Sequence, residues 1–84
     1  MNREKALVVF QHRKKKICVD LEIPLYITAN DLVFALNLAY DLDIDVSNIK
    51  NCYLKAERPI VFLKGDKTLA EFGIRNGSII SYTE

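Results

Sequence analysis

Residues 65–80 of this 84-residue chain read GDKTLAEFGIRNGSII, and this stretch decides the fold. Residues 68–72 predict a single helical turn, which Gly73 can end because glycine adopts a positive φ without strain. Asn76-Gly77 predicts a tight turn into a last strand over residues 78–83. We expect three apolar side chains of this stretch to close the bottom of the core: Leu69, Phe72 and Ile74.

Four other strands are predicted from composition and alternation. Residues 17–23 alternate between apolar and polar side chains, which indicates a strand buried on one face. Residues 5–11 contain the apolar run 7–10, which suits a central strand covered on both faces or a strand with an apolar outer face. The polar segment between these two strands predicts a hairpin, and residues 50–56 and 60–63 are further strand candidates on either side of a turn.

A helix is predicted over residues 29–42. Thr28 can cap its first turn, with Asp31 three residues on in place of the usual Glu of a capping box. Apolar residues recur at helical spacing and form the face that we expect to be buried. The residues of this face are Leu32, Val33, Leu36 and Tyr40.

The predicted order of elements is β-β-α-β-β-β, which places the chain in the α+β class. One long helix has to cover one face of one mixed sheet, because each layer must bury its apolar side. The first and last strands would then lie side by side and parallel in the middle of the sheet. A chain of 84 residues is long enough for one domain, which we expect to span residues 1–84.

Charge and hydropathy argue against several functions. The chain has 12 basic and 11 acidic side chains, and its net charge of +1 argues against nucleic-acid binding through global charge. The apolar run near the N-terminus is too short for a signal peptide, and no stretch approaches the roughly 20 apolar residues of a membrane helix. We therefore expect a cytoplasmic protein that does not insert directly into a membrane.

Catalysis, metal binding and cofactor binding are not expected. Cys18, Cys52 and His12 match no C-x-x-C or zinc-ligand spacing. Both thiols are expected to be free in a reducing cytoplasm, with a disulfide between two strands as the alternative. The one histidine is predicted in a hairpin loop, away from any nucleophile, and the three scattered glycines form no phosphate-binding loop.

The chain resembles the ubiquitin superfamily, whose fold is the β-grasp. Residues 65–80 resemble the Thr-Leu-x-x-Tyr-x-Ile segment that leads into the last strand of ubiquitin. The chain length, the early first strand and the Gly-Ile-x-Asn-Gly turn at residues 73–77 are similar to the YukD/EsaB family of Gram-positive type VII (WXG100) secretion systems. This resemblance implies a cytoplasmic accessory protein that binds a cytoplasmic domain of a membrane component of the machine, or a second copy of itself.

The C-terminal sequence bears on conjugation. Conjugated ubiquitin-like proteins and sulfur carriers end in a di-glycine, whereas this sequence ends Ser81-Tyr82-Thr83-Glu84. We therefore expect the chain to act without conjugation. Two alternatives are left open: a ubiquitin-like interaction module excised from a larger adaptor or membrane protein, and a truncated modifier or sulfur carrier.

Two apolar surfaces are candidate protein-binding sites. On the face of the sheet away from the helix, strand parity predicts that Tyr53 and Ile79 point outward, and Leu7 or Val8, whichever faces out, would extend them into an apolar patch. The alternative is ordinary scattered surface apolarity. On the outer face of the helix, Phe34 and Leu38 lie one turn apart. The alternative there is that the helix rotates or that later strands cover Phe34.

The basic hairpin loop is a third candidate. Arg13, Lys14 and Lys15 offer a docking site for an acidic protein or anionic lipid. The alternative is a structural role, because the acidic end of the helix is expected nearby and its macrodipole favours basic neighbours. The acidic residues that would pair with the loop are Asp41, Asp43 and Asp45.

Overall fold

The structure, a computed structural model, describes residues 4–82, except for the side chains of residues 49–51. The elements, in chain order, are β1 (Lys5–His12), β2 (Ile17–Pro24), α1 (Ala29–Tyr40), a 3-10 helix (Val46–Asn51), β3 (Leu54–Glu57), β4 (Val61–Leu63) and β5 (Ile79–Tyr82). The five strands form one mixed sheet in the order β2-β1-β5-β3-β4, with β1 parallel to β5. The predicted β-β-α-β-β-β order and the central, parallel first and last strands are confirmed. Thr83, which we predict at the end of the last strand, lies outside the described residues.

The capping box predicted at the start of α1 is present. The Thr28 hydroxyl accepts a hydrogen bond from the Asp31 amide (3.1 Å), and the Asp31 carboxylate accepts one from the Thr28 amide (3.1 Å). The helix ends at Tyr40, two residues before the predicted end at Leu42, because Asp41 adopts a left-handed conformation with φ 52°. The prediction missed this end because the apolar periodicity continues through Leu42, which is buried beyond the helix.

The third strand starts later than the predicted residue 50. Residues 46–51 form the 3-10 helix, so β3 begins at Leu54. Asn37 of α1 holds the segment that precedes this helix. Its side chain accepts a hydrogen bond from the Ile44 amide (2.9 Å) and donates one to the Ile44 carbonyl (3.3 Å). This contact between residues seven apart could not be read from local composition.

The core lies between α1 and the inward face of the sheet. Phe10 of β1 is fully buried, and its ring centroid lies 5.5 Å from that of Tyr40, which places α1 against β1. Leu69 and Ile74 are buried, and Phe72 is partly buried and packs against the core, as predicted. The buried face of α1 also agrees with the prediction, with Leu32, Val33 and Leu36 inside the core.

The apolar run in β1 has one face in the core and one face in solvent. Val8 and Phe10 point into the core, whereas Leu7 is 55% exposed, so the run forms a strand with an apolar outer face. His12 continues the inward series at the end of β1 and is 1% exposed. The prediction that His12 lies in the hairpin loop is therefore wrong. Its Nδ1 accepts a hydrogen bond from the Lys15 amide (3.1 Å), which satisfies one polar atom of this buried ring.

The turn before β5 is held by two polar side chains. The Asn76 side-chain oxygen Oδ1 accepts a hydrogen bond from the Leu7 amide (2.8 Å), which ties the turn to β1. Ser78 is fully buried, donates through its hydroxyl to the Arg58 carbonyl (2.6 Å) and accepts from the Arg75 amide (3.0 Å). Gly77 adopts φ 90°, the positive φ that the Asn-Gly pair predicts.

Replacing Ser78 with alanine is expected to lower the free energy of unfolding by about 1–3 kcal/mol, because the Arg58 carbonyl and the Arg75 amide both lose the buried hydroxyl that they bond. Ser81→Ala is the matched control, because the Ser81 hydroxyl is partly exposed and makes only a long contact to the Lys55 carbonyl (3.5 Å). Urea denaturation followed by circular dichroism measures both variants. Equal losses for the two serines would contradict the assignment of Ser78 as a structural anchor.

The single helical turn at residues 68–72 has a reciprocal cap of its own. The Thr68 amide and hydroxyl both donate to the Glu71 carboxylate (3.0 and 3.1 Å), and the Glu71 amide donates to the Thr68 hydroxyl (3.2 Å). The backbone hydrogen bond and then the hydroxyl hydrogen bond from Thr68 hold the pKa of the Glu71 carboxyl below its usual range.

A lowered pKa in the folded state makes ionised Glu71 stabilising at neutral pH. This contribution is present above the pKa of glutamate in the unfolded chain and is lost as the pH falls through the lowered folded value. We therefore expect Glu71→Gln to be less stable than the original chain at pH 7 and to differ less from it at acidic pH. A ¹³C NMR titration of the Glu71 carboxyl checks the premise, and a midpoint above that of an exposed glutamate would contradict it.

Candidate functional site

The outward face of the sheet, turned away from α1, carries one row of side chains in register across four strands. Val9 of β1 lies opposite Asp20 of β2 on one side and opposite Ile79 of β5 on the other. Ile79 in turn lies opposite Glu57 of β3. Leu7 is two residues before Val9 and points to the same side. The row therefore consists of two central apolar residues, Val9 and Ile79, with an acidic residue at each end, and Leu7 lies beside Val9.

We define the sheet patch as Leu7, Val9 and Ile79. Leu7 is 55% exposed, and Val9 and Ile79 are half-buried. All three lie on β1 and β5, the paired strands in the interior of the sheet order. Strands that are hydrogen-bonded on both sides hold their side chains in fixed positions, which suits a surface that recognises another protein.

Tyr53 lies apart from the sheet patch. It is 42% exposed, as strand parity predicts, but it precedes β3 by one residue, and its ring packs edge-on against Phe62 of β4 with centroids 5.4 Å apart. The outward residues Lys55 and Ser81, which lie opposite each other, separate this pair from Ile79. Leu7 and Ile79 therefore both lie beside Val9 in one patch, whereas Tyr53 and Phe62 form a second, separate apolar pair.

Phe62 is an exposed residue that the sequence reasoning missed. It is 62% exposed, and Ile60 before β4 is 84% exposed. The signal was available in the alternation of β4, where Leu63 is buried and its neighbour Phe62 must point outward. Val9 was also missed, because the continuous apolar run 7–10 does not show which of its members face solvent.

The outer face of α1 presents the predicted pair. Phe34 is 46% exposed and Leu38 is 88% exposed, so neither the rotation of the helix nor later strands cover them. The two residues lie one turn apart, which puts them on the same face. Leu38 at this exposure has little packing to hold it in place.

The basic loop lies close to the acidic segment that follows α1, as its alternative, structural role predicts. Arg13, Lys14 and Lys15 are all exposed, and the Lys15 ammonium lies 3.8 Å from the Asp43 carboxylate. An exposed pair of this kind contributes about 0–1 kcal/mol to stability. A shallow groove of about 460 Å³ opens beside the loop and includes Arg13 and Lys55 in its lining.

The chemistry-bearing side chains are dispersed. Among residues 4–82, no three His, Cys, Asp or Glu side chains are grouped to hold a metal ion. Cys18 is exposed, Cys52 is buried, and both are free thiols. The Nδ1 atom of His12 is already bonded to a backbone amide. Within the same residues no helix is long and apolar enough to cross a membrane.

Two solved structures share the fold. The C-terminal ubiquitin-like domain of mouse tubulin-specific chaperone e superposes with a TM-score of 0.72 at 14% sequence identity, covering 100% of this chain and 92% of that domain. A ubiquitin-like domain from tubulin-binding cofactor B superposes with a TM-score of 0.73 at 16% identity, covering 95% of this chain and 89% of that domain. At these identities the similarity establishes the ubiquitin-like β-grasp fold alone.

Sequence comparison identifies the family. No curated protein sequence matches the chain. The sequence profile of YukD, described as a protein of the WXG100 protein secretion system (Wss), matches residues 7–81. This match spans β1 to β5 and includes the whole sheet patch. The chain therefore belongs to the YukD family of WXG100 secretion-system proteins.

Proposed function

We propose that this protein is a non-catalytic accessory of a WXG100 (type VII) secretion system that acts by binding a protein partner, without conjugation. The partner would be a cytoplasmic domain of a membrane component, which would hold the protein at the inner face of the membrane. Family membership supports the link to secretion. The observation that carries the binding role is Leu7, which exposes more than half of an apolar side chain from an interior strand.

The sheet patch is the best of the candidate docking surfaces. Its three side chains lie in adjacent positions on two paired strands, and binding energy concentrates in such clustered, rigidly held residues. Phe34 and Leu38 form a smaller pair on α1, and ordering the exposed Leu38 side chain would oppose binding. In the basic loop, Lys15 already has Asp43 as a partner.

Affinity capture from the bacterium that makes the protein tests this function. The tagged chain is isolated in mild detergent, and the co-purifying proteins are identified by mass spectrometry. We expect a membrane component of the WXG100 machine or its ATPase to be recovered with the original chain. Leu7→Glu and Ile79→Glu should lose it, whereas Leu38→Glu, a more exposed apolar position on α1, should retain it. Covalent adducts, or recovery that all three variants retain equally, would overturn the proposal.

A further inference from the structure

The sheet patch has an acidic border whose charges are not used inside the protein. Asp20 and Glu57 occupy the two ends of the row that contains Val9 and Ile79. Both are exposed, and in the described part of the chain neither makes an ion pair. Glu22, beside Leu7, differs because Lys5 lies 3.8 Å from its carboxylate. A partner that covers Val9 and Ile79 would therefore meet a free carboxylate on either side.

The spacing of the two carboxylates restricts the shape of that partner. Asp20 and Glu57 are three strand intervals apart, which corresponds to about 14 Å between their backbones. A helix rises about 1.5 Å per residue, so one lying across the strands would span this interval in about ten residues. Between its two ends such a helix would turn two or three apolar side chains towards Val9 and Ile79.

We infer that the sheet patch binds an amphipathic helix of another protein, whose apolar face is bordered by two basic residues about three helical turns apart. This inference rests on the proposed function and names the chemistry of its partner. The helix lies across the strands, with its apolar side chains on the sheet patch and its basic side chains on Asp20 and Glu57. The two charge contacts fix its orientation and register, and the apolar contacts hold it in place.

The same acidic border argues against two other occupants. A second copy of this chain would have to offer α1 as the helix, but α1 has Asp31 in its first turn and no basic residue in its last turn. An anionic membrane surface would be repelled by Asp20 and Glu57. The partner is therefore a different protein with a basic amphipathic segment.

Two synthetic peptides test the inference with the full-length protein. The first is a helical 18-residue peptide with leucines between two lysines eleven positions apart, which three helical turns bring back to one face, and the second has glutamates in place of those lysines. Fluorescence anisotropy measures their affinities, and ¹⁵N NMR locates the bound peptide. We expect the lysine peptide to bind about tenfold more tightly than the glutamate peptide at low salt, and to shift the amides of Val9 and Ile79.

A charge exchange provides the decisive variant. Asp20→Lys combined with Glu57→Lys should reverse the preference, so that the glutamate peptide binds more tightly. Asp41→Lys combined with Asp66→Lys makes the same change in net charge at exposed positions outside the row and should leave the preference unchanged. Equal binding of the two peptides, an unchanged preference after the exchange, or shifts centred on Phe34 would overturn the inference.

Repeating the capture experiment separates this inference from the proposed function. If capture depends on Leu7 but not on Asp20 and Glu57, the proposed function stands and the basic helix is wrong. Failure to recover any WXG100 component removes the proposed function, while the reversal of peptide preference still measures the chemistry of the patch. Association of the purified chain with itself that Leu7→Glu abolishes would show that a second copy occupies the patch and would overturn the inference.

Discussion

Replacing Leu7 and Ile79 together with glutamate will lower the affinity for the captured partner by about 100-fold or more, while the fold remains intact. Leu7 lies two residues before Val9 on β1 and Ile79 lies opposite Val9 on β5, so the double variant places two charges within the sheet patch. Truncation of a central interface residue often costs 2 kcal/mol or more, and an unpaired charge buried at such a site costs more still.

The measurement for this prediction is a titration of the purified partner domain by calorimetry, with each protein variant in turn. Far-UV circular dichroism and the melting temperature of each variant check the fold, because Ile79 is half-buried and its replacement carries some cost to stability. Leu38→Glu is the matched control, since it adds the same charge at a position that is 88% exposed. A loss of less than about threefold for the folded double variant would contradict the assignment of the sheet patch.

Phe10→Ala is expected to remove most of the free energy of unfolding. Phe10 is fully buried, and its ring packs against Tyr40, so truncation removes apolar contacts and creates a cavity that costs about 3–5 kcal/mol. A domain of this size has a free energy of unfolding near the lower end of the usual range, about 5 kcal/mol. The loss therefore consumes most of the stability.

Urea denaturation of Phe10→Ala and Phe62→Ala shows whether the loss of stability depends on the burial of the phenylalanine ring. Both variants remove a phenylalanine ring, but Phe62 is 62% exposed and its truncation should cost less than about 1 kcal/mol. If Phe62→Ala destabilised the protein as much as Phe10→Ala, the outward face of β4 would be part of the core, which the strand register contradicts.

The parts of the fold that depend on local pattern could be predicted from the sequence. The alternation of β2 identifies its buried face, and the Thr28 and Asp31 pair identifies the start of α1. The parts that depend on long-range contacts could not. The start of β3 at Leu54 is one of them, because β3 is held by pairing with β4 and β5, whereas composition alone places its start at residue 50.

The sequence predicts which face of the sheet carries the candidate site, but it does not predict which residues form the patch. Parity assigns Tyr53 and Ile79 to the outward side of the sheet, where both are at least partly exposed, but it leaves Leu7 and Val8 as alternatives, of which the structure exposes Leu7. Whether they touch depends on the register between non-adjacent strands, which the turns and the 3-10 helix set. That register places Val9 between Leu7 and Ile79 and separates Tyr53 from them.

Site-specific photo-crosslinking in the living bacterium tests most directly the claim that this protein binds a component of the secretion machine through its sheet patch. A photo-reactive amino acid replaces Leu7 in one strain and Leu38 in another, and the crosslinked products are identified by mass spectrometry. The account predicts a product with a WXG100 membrane component from position 7 and none from position 38. A product with that component from position 38 alone would contradict it and would move the binding surface to α1.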